Sequence, residues 1–109
     1  MNITFEDFSK IEIKIGKVIS AEKVPETDKL LKLEVDFGEE KNRIIVSGIA
    51  HAISVEDIIN KEIPFVTNLE PRTIKGIESQ GMIMVAIGSE DNPVLLNPSK
   101  EVPPGSVVR

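Results

Sequence analysis

The sequence predicts a small all-β domain: a five-stranded Greek-key barrel with a short helix between strands three and four, followed by a C-terminal extension. Three observations lead there. Apolar and polar residues alternate at strand period around Ile11, Ile13 and Ile15, and again through Leu31, Leu33, Val35 and Phe37. The helical stretch, residues 50–59, follows a third short strand. Two further extended segments, residues 63–67 and 82–87, come after it.

In chain order, Thr4 can cap a helical turn in which Asp7 sits at the capping-box position, and Phe5 and Phe8 share its buried face. The first strand loses phase at Gly16-Lys17, which marks a bulge or sharp bend. Residues 22–28, with Pro25, form a turn, and the second strand runs to Phe37. Gly38-Glu39-Glu40-Lys41-Asn42 is a hairpin loop before the third strand, Arg43-Ile44-Ile45-Val46. Ser47-Gly48 ends that strand, and Ser54 can cap the second part of the helix. Pro64 implies an edge strand or a first position for strand four. Residues 82–87 are apolar on both faces, which suits a central or doubly covered strand. The tail, Val94-Leu95-Leu96 and then residues 102–108, reads as two short extended pieces. All four Phe residues, at 5, 8, 37 and 65, read as core.

At 109 residues the chain is one domain, with the barrel over about 10–88 and the extension over 89–109. Met1 and the full set of segments suggest a whole protein. The chain has no Cys, which removes disulfides, thiolate chemistry and Cys-based metal sites. The longest apolar run, residues 82–87, is far short of a membrane span, and the acidic start is not signal-like. Both point to a soluble cytoplasmic protein. A net charge of −5 disfavours nucleic acid as a partner unless one face is locally basic.

No catalytic constellation is legible. His51 is the only His and has no nucleophile or orienting group at a readable spacing, so it reads as a surface residue near a helix start. Ser47 lies outside any nucleophile elbow. The carboxylates show no metal-ligand spacing, and no glycine-rich phosphate loop is present. No cofactor is implied. Residues 68–81 instead form a long polar loop carrying Asn68, Pro71, Arg72, Lys75, Gly76, Ser79 and Gly81. In the OB-fold, which has this element order, the ligand face comprises strands two and three and the loops after strands one and four. Lys29, Lys32, Arg43, Arg72 and Lys75 could form a modest basic patch there, or be solvated charges balanced by Glu34, Asp36 and Glu70.

At these residues the chain resembles a known family, the tRNA-binding OB-fold domain. That domain is found at the C-terminus of bacterial methionyl-tRNA synthetases, as separate small synthetase subunits and as free-standing tRNA-binding proteins. The resemblance covers about residues 5–106. It is carried by Ile15-Gly16-Lys17-Val18, by Pro25-x-x-Asp28-Lys29-Leu30-Leu31-x-Leu33-x-Val35-Asp36-x-Gly38, and by Ile45-Val46-Ser47-Gly48-Ile49-Ala50. Further on it includes Asn68-Leu69-x-Pro71-Arg72, Gly76-x-x-Ser79-x-Gly81-Met82 and Val102-Pro103-x-Gly105-Ser106. Many members carry His-Pro where this chain has Val24-Pro25, so the first loop would meet RNA differently.

The resemblance implies a non-catalytic module that recognises folded tRNA by shape, and a homodimer joined largely through the terminal segments. A methionyl-tRNA synthetase catalytic subunit is the implied protein partner. Carried onto this chain, the implied RNA contacts are Lys32, Arg43, Ser47, Asn68, Arg72, Lys75, Ser79 and Met82, with Gly76 and Gly81 letting the backbone approach the ligand. The competing reading is a CsaA-like dimeric peptide-binding export chaperone. It shares fold and length but resembles this chain less at residues 46–50 and 79–82.

Overall fold

Alternation in the second strand sets the inside of the barrel. The computed structural model describes residues 1–109, and its strand β2 (Leu31–Asp36) buries Leu31, Leu33 and Val35 completely while Lys32, Glu34 and Asp36 stay half-exposed. β1 (Ile13–Lys23) pairs antiparallel with β2 along its second half, and β3 (Arg43–Ser47) pairs with β2 on the other side. After α2 (Val55–Ile58), strand β4 (Glu62–Val66) returns to β1, and β7 (Met82–Ile83) pairs with β4. The sheet order is β3-β2-β1-β4-β7. This is the nearly closed five-stranded barrel with a small helix between strands three and four that the alternation predicts.

The core inside it includes Val18, Leu31, Leu33, Val35, Phe37, Ile45, Ile58, Ile63, Phe65 and Ile83. Phe37 and Phe65 meet edge to face at its centre, 5.4 Å between ring centroids.

Several local expectations change. The register slips between Val18 and Ser20, so the bulge lies at Ile19 rather than Gly16. Gly16 is bare for another reason: a Cβ there would overlap Val35 Cγ1 and lie 2.6 Å from Phe37 Cε1. The predicted helix over 50–59 shortens to α2, and Ser54 takes the N-cap conformation without a side-chain capping bond.

Pro64 sits inside an interior strand, not at an edge or first position. Its β1 neighbour is Ile15, whose amide donates to Ser106 O (2.8 Å) and whose carbonyl accepts from Gly105 N (2.7 Å), so β1 asks nothing of Pro64 there. On the other side Met84 N donates to Pro64 O (3.0 Å), but Pro64 has no N–H to return. The ladder stops there, and the single strand expected over 82–87 divides into β7 and β8 (Val85–Ile87). That segment is not doubly covered either, because Met82 is 50% and Ile87 64% exposed.

The tail completes the sheets. β9 (Pro93–Leu95) pairs with β8, and Val107 bridges to Lys14, so the C-terminal piece occupies the edge of β1 that β2 leaves free. At the other terminus Thr4 caps α1 (Phe5–Phe8) as expected, its Oγ1 accepting from Asp7 N at 3.1 Å. The aromatic residues of α1 contradict the core reading: Phe5 is 80% and Phe8 40% exposed. The two rings instead line an open depression against Ile13 and Lys14 of β1 and the C-terminal Val107 and Val108.

Candidate nucleic-acid interface

The polar stretch after Asn68 is not an open loop. It folds into a hairpin, β5 (Arg72–Ile74) and β6 (Ile77–Ser79), joined by a two-residue turn at Lys75-Gly76. Lys75 has φ +51° and Gly76 φ +79°, the left-handed pair that a tight primed hairpin turn requires. The turn escapes sequence reading because Lys-Gly lacks the Asn or Asp that usually announces it.

The hairpin is stitched to the outer edge of β3 by side chains. Val46 N donates to Ser79 Oγ (2.9 Å), Ile44 N to Gln80 Oε1 (3.0 Å), and Gln80 N to Ile44 O (2.8 Å). Ser79 Oγ in turn donates to Gly81 O (3.3 Å). Two side-chain oxygens thus replace the backbone acceptors that a strand paired to this edge of β3 would otherwise supply. Gly81 lies within this seam, where a Cβ would come 3.1 Å from both Ile45 Cδ1 and Val66 O, so its bareness serves the barrel's own packing.

Arg43 closes the same seam. Its guanidinium grips Glu39 with two bonds (2.9 and 2.8 Å) and donates to Thr67 O (2.7 Å) and Gln80 O (3.2 Å). It also lies over the Phe37 ring, 5.4 Å from the centroid. The Glu39 hydrogen bond raises the Arg43 pKa further, and the Arg43 bond lowers that of Glu39. A bond from Thr67 Oγ1 (2.6 Å) is the main cause that lowers the Glu12 carboxyl. Asn68 ties the same corner, accepting from Glu12 N (2.9 Å) and donating to Lys10 O (2.7 Å).

The eight sequence-predicted contact residues therefore divide. Arg72, Ser79 and Met82 come together along one groove of about 430 Å³, with Val46, Leu69, Glu70, Ile74 and Gly81. Lys75 stands at the exposed hairpin tip, and neither Arg72 nor Lys75 joins an ion pair. Lys32 faces Val46 across the strand pair but shares the face with Glu34 and pairs with Glu22 (3.6 Å). Ser47 ends β3, opposite Leu31. Arg43, Asn68 and Ser79 each already hold the protein's own backbone. Sequence reasoning missed the groove's apolar wall, Leu69 and Ile74, although the three apolar residues Leu69, Ile74 and Ile77 in so polar a stretch were a visible signal.

The fold is an OB barrel in which the segment after strand four carries a groove and two cations that join no ion pair. Over residues 13–107 the sequence matches the family described as "Putative tRNA binding domain", and the chain belongs to that family. It is 45% identical over 106 residues to a methionine–tRNA ligase of Methanococcoides burtonii, spanning 97% of this chain but 16% of the ligase. The MetRS-related protein from Pyrococcus horikoshii superposes with a TM-score of 0.94 at 40% identity, covering 100% of this chain and 99% of that one. The chaperone CsaA of Bacillus anthracis superposes with a TM-score of 0.89 at 30% identity, and both chains are covered completely.

Proposed function

We propose that the chain is a non-catalytic module that binds folded tRNA by shape, as a homodimer, in partnership with a methionyl-tRNA synthetase catalytic subunit. The observation that carries this reading is the hairpin of residues 72–79. It presents two unpaired cations, Arg72 and Lys75, beside an open groove on the ligand face of a tRNA-binding-family barrel. All eight contact residues remain in the reading. Arg72, Lys75, Lys32, Ser47 and Met82, whose side chains are exposed or half-exposed and hold no backbone of the chain, meet RNA directly, whereas Arg43, Asn68 and Ser79, which do hold backbone, shape the surface that RNA meets.

A dimer is supported by an apolar band with no cover in the single chain. Phe5, Phe8, Ile11, Val107 and Val108 line one depression, and Val107 and Val108 continue into a second with Leu96 and Pro64.

The test is binding of labelled tRNA across a salt series, with Arg72→Ala/Lys75→Ala and a linear RNA as comparisons. The expected result is binding to folded tRNA that weakens with salt, and a double variant whose log–log salt slope falls by about 2. No binding at low salt defeats the reading. The full-length likeness to CsaA favours a second reading, peptide binding, which then takes its place.

A further inference from the structure

We infer that the groove between the hairpin and β3 holds one unstacked nucleotide of the bound RNA, with its base against the apolar wall and its Watson–Crick edge on Glu70. This rests on the tRNA-binding reading and names the chemistry of its central contact.

The groove has the wrong character for a phosphate alone. Val46, Leu69, Ile74 and Met82 supply an apolar lining, and Leu69 (49%) and Met82 (50%) are large apolar side chains left half-exposed on the ligand face. Its volume of about 430 Å³ suits a small planar ligand, within the range of pockets that enclose one. The chain has no Tyr or Trp to stack a base, and all four of its Phe residues lie outside the groove. A Met thioether is the polarisable group left to lie on a flat aromatic face.

The polar lining is equally selective. Glu70 and Arg72 both border the groove, and neither has an ion-pair or hydrogen-bond partner in the chain, whereas Ser79 Oγ is engaged with Val46 N and Gly81 O. A nucleotide satisfies the two free groups at once: its phosphate takes the guanidinium, and amino hydrogens of its base reach the carboxylate. Guanine is favoured because its N1–H and N2–H₂ offer two parallel donors to a carboxylate, adenine and cytosine one amino group, and uracil no amino group. An acidic side chain in an RNA site is otherwise a liability, since it repels phosphate. Directed at a base edge, it becomes the selector.

The chain provides its own reporter. It has three Met residues, of which Met82 alone lines the groove, so methyl-labelled methionine gives one signal at the site and two controls, Met1 and Met84. The four nucleoside 5′-monophosphates and ribose 5-phosphate are titrated into the protein, and tRNA binding is measured separately. The expected result is a ring-current shift at Met82, not at Met1 or Met84. GMP should bind tightest, by about 10-fold over UMP, and the order should disappear in Glu70→Ala. Ribose 5-phosphate should leave Met82 unmoved.

If tRNA binds but no mononucleotide moves Met82, or ribose 5-phosphate moves it as much as GMP does, the inference fails and the tRNA-binding reading stands. If an extended apolar peptide shifts Met82 while nucleotides and tRNA do not, both fail.

Discussion

Lys75 holds φ +51° at the first position of the two-residue turn of the β5–β6 hairpin, followed by Gly76 at φ +79°. Left-handed backbone costs an ordinary L-residue roughly 1–2 kcal/mol, because Cβ crowds the following carbonyl, while Asn tolerates it through its short polar side chain. A Cβ at Gly76 would meet nothing within 4 Å, so the tip stands clear of the barrel and a change there touches only the turn itself. Lys75→Asn should therefore relieve strain of about 0.5–1 kcal/mol. For a domain of this size that corresponds to a rise of roughly 2–6 °C in melting temperature. The same substitution removes a cation from the proposed RNA surface. The log–log salt slope of tRNA binding should fall by about 1, with weaker binding at low salt. The two effects have opposite signs: the free protein gains stability as the complex loses it. Thermal denaturation followed by circular dichroism reads the first, and fluorescence anisotropy across a salt series reads the second. A lowered melting temperature would refute the turn assignment. An unchanged slope would remove Lys75 from the phosphate contacts.

Ser79→Ala should destabilise the fold by about 1–3 kcal/mol in urea titrations, because the Val46 amide it caps lies in a buried seam; an unchanged midpoint would mean that water substitutes there. Glu39 and Glu12 have lowered pKa values in the folded state, Glu39 chiefly through its Arg43 bond and Glu12 through its Thr67 bond, so their stabilising contribution is complete above the unfolded carboxylate pKa and fades as pH falls through the folded one. Glu39→Gln should accordingly be less stable than the native chain at neutral pH and equal to it in acid; parallel pH profiles would contradict this. Replacing Phe5 and Phe8 by Glu should convert the dimer to a folded monomer in light scattering, since both rings are exposed in the single chain. A native chain that is already monomeric at micromolar concentration would end the dimer proposal.

The alternation of Leu31, Leu33 and Val35 determined β2, and with it the inside of the barrel, since a period-2 pattern can bury only one face. Thr4 and Asp7 likewise determined the first helical turn, because a cap acts across three residues. The motifs around Ser47 and residues 68–82 brought the family into view. What required the tertiary structure was every choice made between distant segments. Pro64 is tolerated inside β4 because the tail supplies hydrogen bonds to Ile15 from the opposite side, about forty residues further along the chain. Arg43, Ser79 and Asn68 look like free ligands in sequence, yet each is engaged by backbone from another part of the chain. Leu69, Glu70 and Ile74 border a groove only once the hairpin folds back on β3. Periodicity and caps are local, so a sequence displays them; partners and cavities arise from closing the barrel, and the same side chain becomes a strut or a contact according to what that closure brings beside it.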